Sequence, residues 1–151
     1  KTTPGLRLFE KYAVSVGGGW NHRLNLSSGI LIKDNHLQVA GSVKAAVELS
    51  REQNRNNLPI ELEVDTLDQL REGLAMDVDG FLLDNMSPKL VQDAVSIIRS
   101  HPDGETIFVE ASGGINYDTL ESYAWTGIDA VSMSAITTQA SAVDIKLEFI
   151  E

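Results

Sequence analysis

Five short apolar runs, each closing on a polar or glycine-rich group and each separated from the next by a stretch of helix length, constrain this chain more than any other feature. They are "GILIK" (Gly29–Lys33), "IELEV" (Ile60–Val64), "GFLLD" (Gly80–Asp84), "IFVEA" (Ile107–Ala111) and "DAVSM" (Asp129–Met133). Length, composition and flanking turn residues predict strands. Helical periodicity predicts helices over Ser42–Gln53, Leu67–Leu74, Pro88–Arg99 and Tyr117–Trp125, with caps from Asp65-Thr66, from Ser87 ahead of Pro88, and from Asn116 to Asp118. Strand and helix alternating at roughly 20–30-residue intervals are the mark of right-handed βαβ units around a parallel sheet, either curled toward a barrel or opened as a doubly wound sheet. The final "AVDIKLEFIE" alternates apolar with polar and reads as a closing strand or a short frayed helix.

At 151 residues the chain supports one domain with a real core. No apolar run approaches membrane-spanning length, no basic, apolar-cored leader is visible, and the mean hydropathy of −0.08 places the chain among soluble globular proteins. The absence of cysteine excludes disulfides and thiolate metal sites and fits a cytoplasmic protein. A net charge of −10 argues against nucleic acid and anionic membrane as partners, since both demand a positive excess. An anionic substrate needs a local exception. Basic residues do cluster early, at Lys1, Arg7, Lys11, Arg23 and Lys33 with His22 and His36, although Arg7 and Lys11 read as solvated charge on a helix surface.

In a parallel α/β architecture the loops after the strands converge over one mouth, and function collects there. Lys33, Glu63 with Asp65, Asp84, Ser112-Gly113-Gly114, and Ser132 with Ser134 all fall at such positions. Each has a plainer reading: Lys33 as a surface lysine, Asp65 and Asp84 as helix caps, the two glycines as a turn. Glu63 is harder to dismiss, because its neighbours Leu62 and Val64 belong in the core and a buried acid needs a cation or a donor. Glu63 and Asp84 on neighbouring strand ends make a hard oxygen site suited to Mg2+ with phosphates. His22, Arg23 and Lys33 supply groups that hold carboxylates or phosphates. "SGGINYDTL" places two glycines ahead of a helix, where backbone N–H groups approach an anion, although it is neither a Walker loop nor a dinucleotide fingerprint. Upstream, an amphipathic helix runs into Gly17, Gly18 and Gly19. A glycine C-cap accounts for the first; the other two are expected to swing the chain off the helix and aim His22 and Arg23 into the mouth.

Taken together, "KTTPGLR", "EKYAV", "GGGWNHR", "ILIKDNH", "ELEVDTL", "LLDNM", "EASGGI" and "TGIDAVSMSAIT" resemble, in order and across nearly the whole chain, the quinolinate phosphoribosyltransferases, the carboxylating nicotinate-nucleotide diphosphorylases. A relative associated with molybdenum transport shares "TTPGLR" and the His-Arg segment; the intact "IKDNH" is more similar to the quinolinate enzyme. The resemblance implies an incomplete, open TIM-like α/β barrel over residues 1–151, with the family's amino-terminal α/β domain and first barrel strand outside this sequence. It implies a homodimer whose active site is completed by the partner subunit. The implied reaction joins quinolinate to phosphoribosyl pyrophosphate with Mg2+ and releases pyrophosphate and CO2, giving nicotinate mononucleotide for NAD synthesis.

By the same resemblance, Lys1, Thr2, His22, Arg23 and Lys33 line the quinolinate and pyrophosphate end. Glu63 and Asp84 face the ribose and the metal-pyrophosphate, and Ser112, Gly113 and Gly114 hold the 5′-phosphate. Ser134 stands near the phosphate where the family has glycine. Two other readings are a non-catalytic barrel remnant or dimerisation module, and a barrel aldolase with Lys33 as its Schiff-base lysine.

Overall fold

The computed structural model describes residues 1–25 and 27–149. Helix α1 (Arg7–Val16) precedes a parallel sheet formed by β1 (Ile30–Ile32), β2 (Ile60–Val64), β3 (Gly80–Asp84), β4 (Phe108–Ser112) and β5 (Ala130–Val131). Between strands lie α2 (Asp34–Ala40), α3 (Val43–Gln53), α4 (Leu67–Leu74), α5 (Pro88–Arg99) and α6 (Leu120–Ala124), and α7 (Ala135–Thr138) follows β5. The five strands pair in the order β1-β2-β3-β4-β5, all parallel. A doubly wound sheet reverses its strand order part-way; here every crossover steps in one direction, so same-handed connections keep the helices on one face. The sheet is therefore an open, barrel-like arc, with β1 and β5 as its edges.

Strand alternation divides the side chains between two faces. Ile60, Leu62, Val64, Phe81, Leu83, Val109 and Ala111 point to the helices and are buried to 1 % exposure or less. They pack against Val47 of α3, Leu70 of α4, and Val91, Ala94 and Ile98 of α5. The inner face is quite different. Register puts Leu31, Glu61, Gly80 and Phe108 in one row across it, and Glu63, Leu82, Glu110 and Ala130 in the next.

The expected caps at Thr66 and Ser87 are present: Thr66 forms a capping box with Gln69, and Ser87 accepts from the Leu90 N–H ahead of Pro88 at the first helical position. Asp65 and Asp84 cap nothing, which removes their plainer reading. The last inter-strand helix is shorter than expected. Asn116 Oδ1 accepts from the N–H groups of Asp118 and Thr119, and this side-chain turn delays the helix to Leu120. Helices α2 and α7 are additions to the expected set. "AVDIKLEFIE" is neither strand nor helix through Phe149, and its last two residues lie outside the described ones.

At the amino ends of the strands acids are committed to assembly. Asp79 accepts from the Ile60 N–H at 2.7 Å, and Asp129 accepts from the Val109 N–H at 2.8 Å while pairing with Arg99 at 2.9 Å.

Candidate active site

The carboxyl ends of the strands, the loop after α1 and the start of α7 enclose a cleft of about 1010 Å³. Asp65, a strand-end candidate, is not among its lining residues, whereas Lys1, Thr2, His22, Arg23, Lys33, Glu63, Asp84, Ser112, Gly113, Gly114, Ser132 and Ser134, all singled out from the sequence, line it. They come from widely separated segments and share one rim because parallel strands deliver all their carboxyl ends to the same side.

Lys33, the residue after β1, pairs with Glu63 of β2 at 2.9 Å. Glu63 is only 6 % exposed, so the ammonium answers the demand of a buried acid for a cation. Glu63 raises the Lys33 pKa above its ordinary value, against the opposing effect of burial. A Schiff-base lysine is favoured by the reverse and by a free amine, whereas Lys33 is held in an ion pair, an arrangement that speaks against the aldolase reading. Burial pushes the Glu63 pKa up, with Lys33 opposing and Asp84 and Asp34 adding to the rise. Asp84 ends β3 half-buried and accepts from Asn85 Nδ2 at 2.6 Å. Glu63 and Asp84 both offer carboxylate oxygens to the cleft, a donor type that suits Mg2+.

The turn after β4 is tightly constrained. Gly113 (φ +92°) lies against Asn85, so closely that a Cβ there would come within 2.4 Å of Asn85 Oδ1. Asn85, itself at φ +53°, donates its N–H to the Ser112 carbonyl at 2.9 Å. Gly114 (φ +66°) has nothing beside its missing side chain and leaves backbone open to an anion. Ser134 is the residue before α7; at φ −73° it adopts a conformation any residue accepts, and its side chain makes no capping bond.

The loop carrying His22 and Arg23 departs from expectation in how it is placed. Gly18 takes φ +82° and donates to Ser15 O, while Gly19 donates to Val14 O, and these bonds form a Schellman cap on α1. A Cβ on Gly19 would come within 3.0 Å of Val14 Cγ1, so the plain capping motif accounts for the second and third glycines. Gly17, at φ −73°, has the least need to be glycine. The aiming is done elsewhere. Arg7 donates to the Leu24 carbonyl from Nε and Nη2, at 3.2 and 2.7 Å, and Lys11 Nζ donates to the His22 carbonyl at 2.9 Å. These two residues, one helical turn apart, clamp the loop rather than decorate a solvated surface, and both line the cleft. Partial burial, then Arg7, lowers the Lys11 pKa. Arg23 Nη1 braces the loop further through the Gly29 carbonyl.

His22 Nε2 reaches Glu61 at 3.6 Å and Glu110 at 3.8 Å. Glu61 raises the imidazole pKa above its ordinary value, burial opposes it, Glu110 adds to the rise and Arg23 subtracts. Glu110 is 5 % exposed; burial pushes its carboxyl up, Ser132 opposes and Glu61 reinforces. Sequence reasoning applied the buried-acid argument to Glu63 alone. Glu61 lies two residues earlier on the same face, and Glu110 stands beside Leu82 in the same row as Glu63, so alternation carried the signal for both. Lys1 and Thr2 also border the cleft: the Lys1 carbonyl accepts from Thr137 Oγ1, and Thr2 Oγ1 accepts from Arg7, whose guanidinium also holds Leu24 in the His22 loop.

Residues 1–148 match the family model described as quinolinate phosphoribosyl transferase, C-terminal domain. The nicotinate-nucleotide pyrophosphorylase [carboxylating] of Mycobacterium leprae is 43% identical over 98% of this chain and 51% of its own length, and that of Homo sapiens 36% identical over 98% and 49%. Among solved structures, NadC from Streptococcus pyogenes superposes with a TM-score of 0.85 at 41% identity, covering 95% of this chain and 48% of that one. The nicotinate-nucleotide pyrophosphorylase from Ehrlichia chaffeensis gives 0.83 at 40% identity, covering 91% and 48%. The chain thus spans about half the length of the curated relatives it matches.

Proposed function

Because the chain belongs to the quinolinate phosphoribosyltransferase family, we propose that it is the barrel half of an enzyme that transfers a phosphoribosyl group from phosphoribosyl pyrophosphate to quinolinate. The observation that carries this reading is the division of the cleft: a cationic wall at Lys1, His22, Arg23 and Lys33 faces carboxylates at Glu63 and Asp84, with the Ser112-Gly113-Gly114 turn beside them.

Both reactants are strongly anionic, so the first task is to bring them together against their repulsion. His22 and Arg23 take the ring carboxylates, while Lys33 and Lys1 face the pyrophosphate side. Exposed N–H groups at Gly113 and Gly114, with the Ser112 hydroxyl, take the 5′-phosphate. The pyridine nitrogen then bonds to the anomeric carbon as the bond from that carbon to pyrophosphate breaks, and pyrophosphate leaves with the electron pair. Positive charge developing on the ribose is met by Glu63 or Asp84. Glu63 and Asp84 would hold Mg2+, which when bound would supply charge neutralisation for the departing pyrophosphate. The resulting ring nitrogen is cationic, so the 2-carboxylate leaves as CO2 and its electron pair stays on the ring carbon, which takes a proton from water.

The proposal extends to the assembly. The exposed apolar side chains Leu8, Phe9, Tyr12 and Val16 on α1, next to the cleft, support a homodimer whose partner subunit helps close the site. Two water-soluble anionic substrates and a cysteine-free sequence support a cytoplasmic reaction.

The test is a steady-state assay of the full chain with quinolinate and phosphoribosyl pyrophosphate, following CO2 release. Quinolinate is used and nicotinate, which lacks one carboxylate, is a poor substrate; equal use of the two acids overturns the reading. Glu63→Gln and Asp84→Asn lower kcat at least 10²-fold, the order expected for groups that stabilise developing charge, with little change in the thermal midpoint.

A further inference from the structure

We propose that Glu61 and Glu110 are positioning residues that hold the His22 imidazole as a cation beside the cleft, so that recognition of a substrate carboxylate is governed by two acids acting through His22. The inference rests on the reading that His22 meets a ring carboxylate of quinolinate.

The sheet itself provides these acids with nothing positive. Across the inner face, β3 places Gly80 beside Glu61 and Leu82 beside Glu110, and β5 places Ala130 beside Glu110. Lys33, the cation that follows β1, is committed to Glu63. One oxygen of Glu61 and one of Glu110 have no hydrogen-bond partner among the described residues, although each is shielded from solvent. A buried carboxylate without a donor is costly, and His22 is the group that approaches both acids. Separations of 3.6 and 3.8 Å exceed hydrogen-bond length but lie well within reach of charge attraction, so the imidazole is poised between two acids rather than locked to one.

The other charges near His22 work in opposite senses. Arg23, from its own segment, disfavours the imidazolium, and Lys11 of α1 is turned to the His22 carbonyl rather than to the ring. The raised pKa of His22 is the balance of these influences, with Glu61 the largest. A histidine tuned in this way presents a positive charge to a dicarboxylate at pH values where an ordinary exposed imidazole has lost it.

The experiment follows the His22 imidazole by NMR in the full chain, together with the pH dependence of KM for quinolinate. The wild-type imidazole titrates above 6.5, and Glu61→Gln and Glu110→Gln each lower its midpoint, by about one pH unit when both are combined. In these variants KM for quinolinate rises several-fold near pH 8, while kcat and KM for phosphoribosyl pyrophosphate stay within twofold. In a His22→Ala background the glutamine variants leave KM unchanged. Glu110→Asp, which keeps the charge, retains a higher midpoint than Glu110→Gln and guards against a purely steric effect.

A midpoint that stays put in the glutamine variants, or a Glu110→Asp midpoint equal to that of Glu110→Gln, overturns the inference. A midpoint that falls while KM for quinolinate ignores pH leaves the charge-holding role standing and overturns the placing of a substrate carboxylate at His22. The two failures are thereby told apart.

Discussion

Glu63 lies in the second row of the inner face with the Lys33 ammonium as its counter-charge. Deleting that ammonium strands a buried carboxylate, so Lys33→Ala is expected to cost roughly 1–3 kcal/mol, whereas the combined Lys33→Met and Glu63→Gln variant recovers most of it; urea denaturation of the three proteins measures the difference. His22 adds a pH term. Its pKa in the folded chain lies above 6.5, so its contribution to stability is fully present below that value and disappears as pH rises through the folded pKa. The stability advantage of the wild type over His22→Asn therefore narrows between pH 6 and pH 9, and parallel denaturant titrations reveal it. At this scale the sequence exposed the acids and cations at strand ends, because a polar residue closing an apolar run stands out. It hid Arg7 and Lys11, whose helical spacing looks the same whether the side chains meet water or clamp backbone carbonyls. It also hid Asn85, whose value lies in a positive φ and in its contact with Gly113.

Helices announced by Thr66 and Ser87 begin where side-chain oxygens satisfy their first N–H groups, and Ser42, expected only as the first residue of its helix, caps α3 in the same way. Short elements without such signals were invisible. In α2, His36 Nδ1 accepts from the Lys33 N–H at 2.8 Å, an arrangement that a "KDNH" string does not advertise as a helix start. The cap on α1 yields a direct test. Gly18→Ala forces a methyl group onto φ +82° and is expected to cost about 1–2 kcal/mol, whereas Gly17→Ala, at φ −73°, leaves the melting temperature nearly unchanged. Calorimetry of both separates the residue the turn needs from the one it merely contains. Since the same turn feeds the loop clamped by Arg7 and Lys11, Gly18→Ala also raises KM for quinolinate.

Across the whole molecule, the order β1 to β5 with helices on one side leaves Glu61, Glu63 and Glu110 among apolar and small residues on the inner face of the sheet, while α1 exposes apolar side chains. Alternation of strand and helix in the sequence conveyed the parallel sheet, but a choice between curled and doubly wound forms depends on which neighbours each strand takes, and no local pattern encodes that. The tail misled for a related reason. Its period-2 alternation is a strand pattern, yet a strand needs an edge to join, and through Phe149 the chain finds none among the described residues. Exposed Leu8 and Phe9, each 73 % accessible, lead to a further expectation: sedimentation velocity gives a dimer, and Leu8→Asp with Phe9→Asp shifts it to monomer while far-UV circular dichroism is unchanged. Asp79 and Asp129, fastened to the backbone beneath the strands, give the architecture one last property. They act as foundation bolts on the side away from the chemistry, so loops above can be rewritten by evolution or by an engineer without loosening the frame on which they stand.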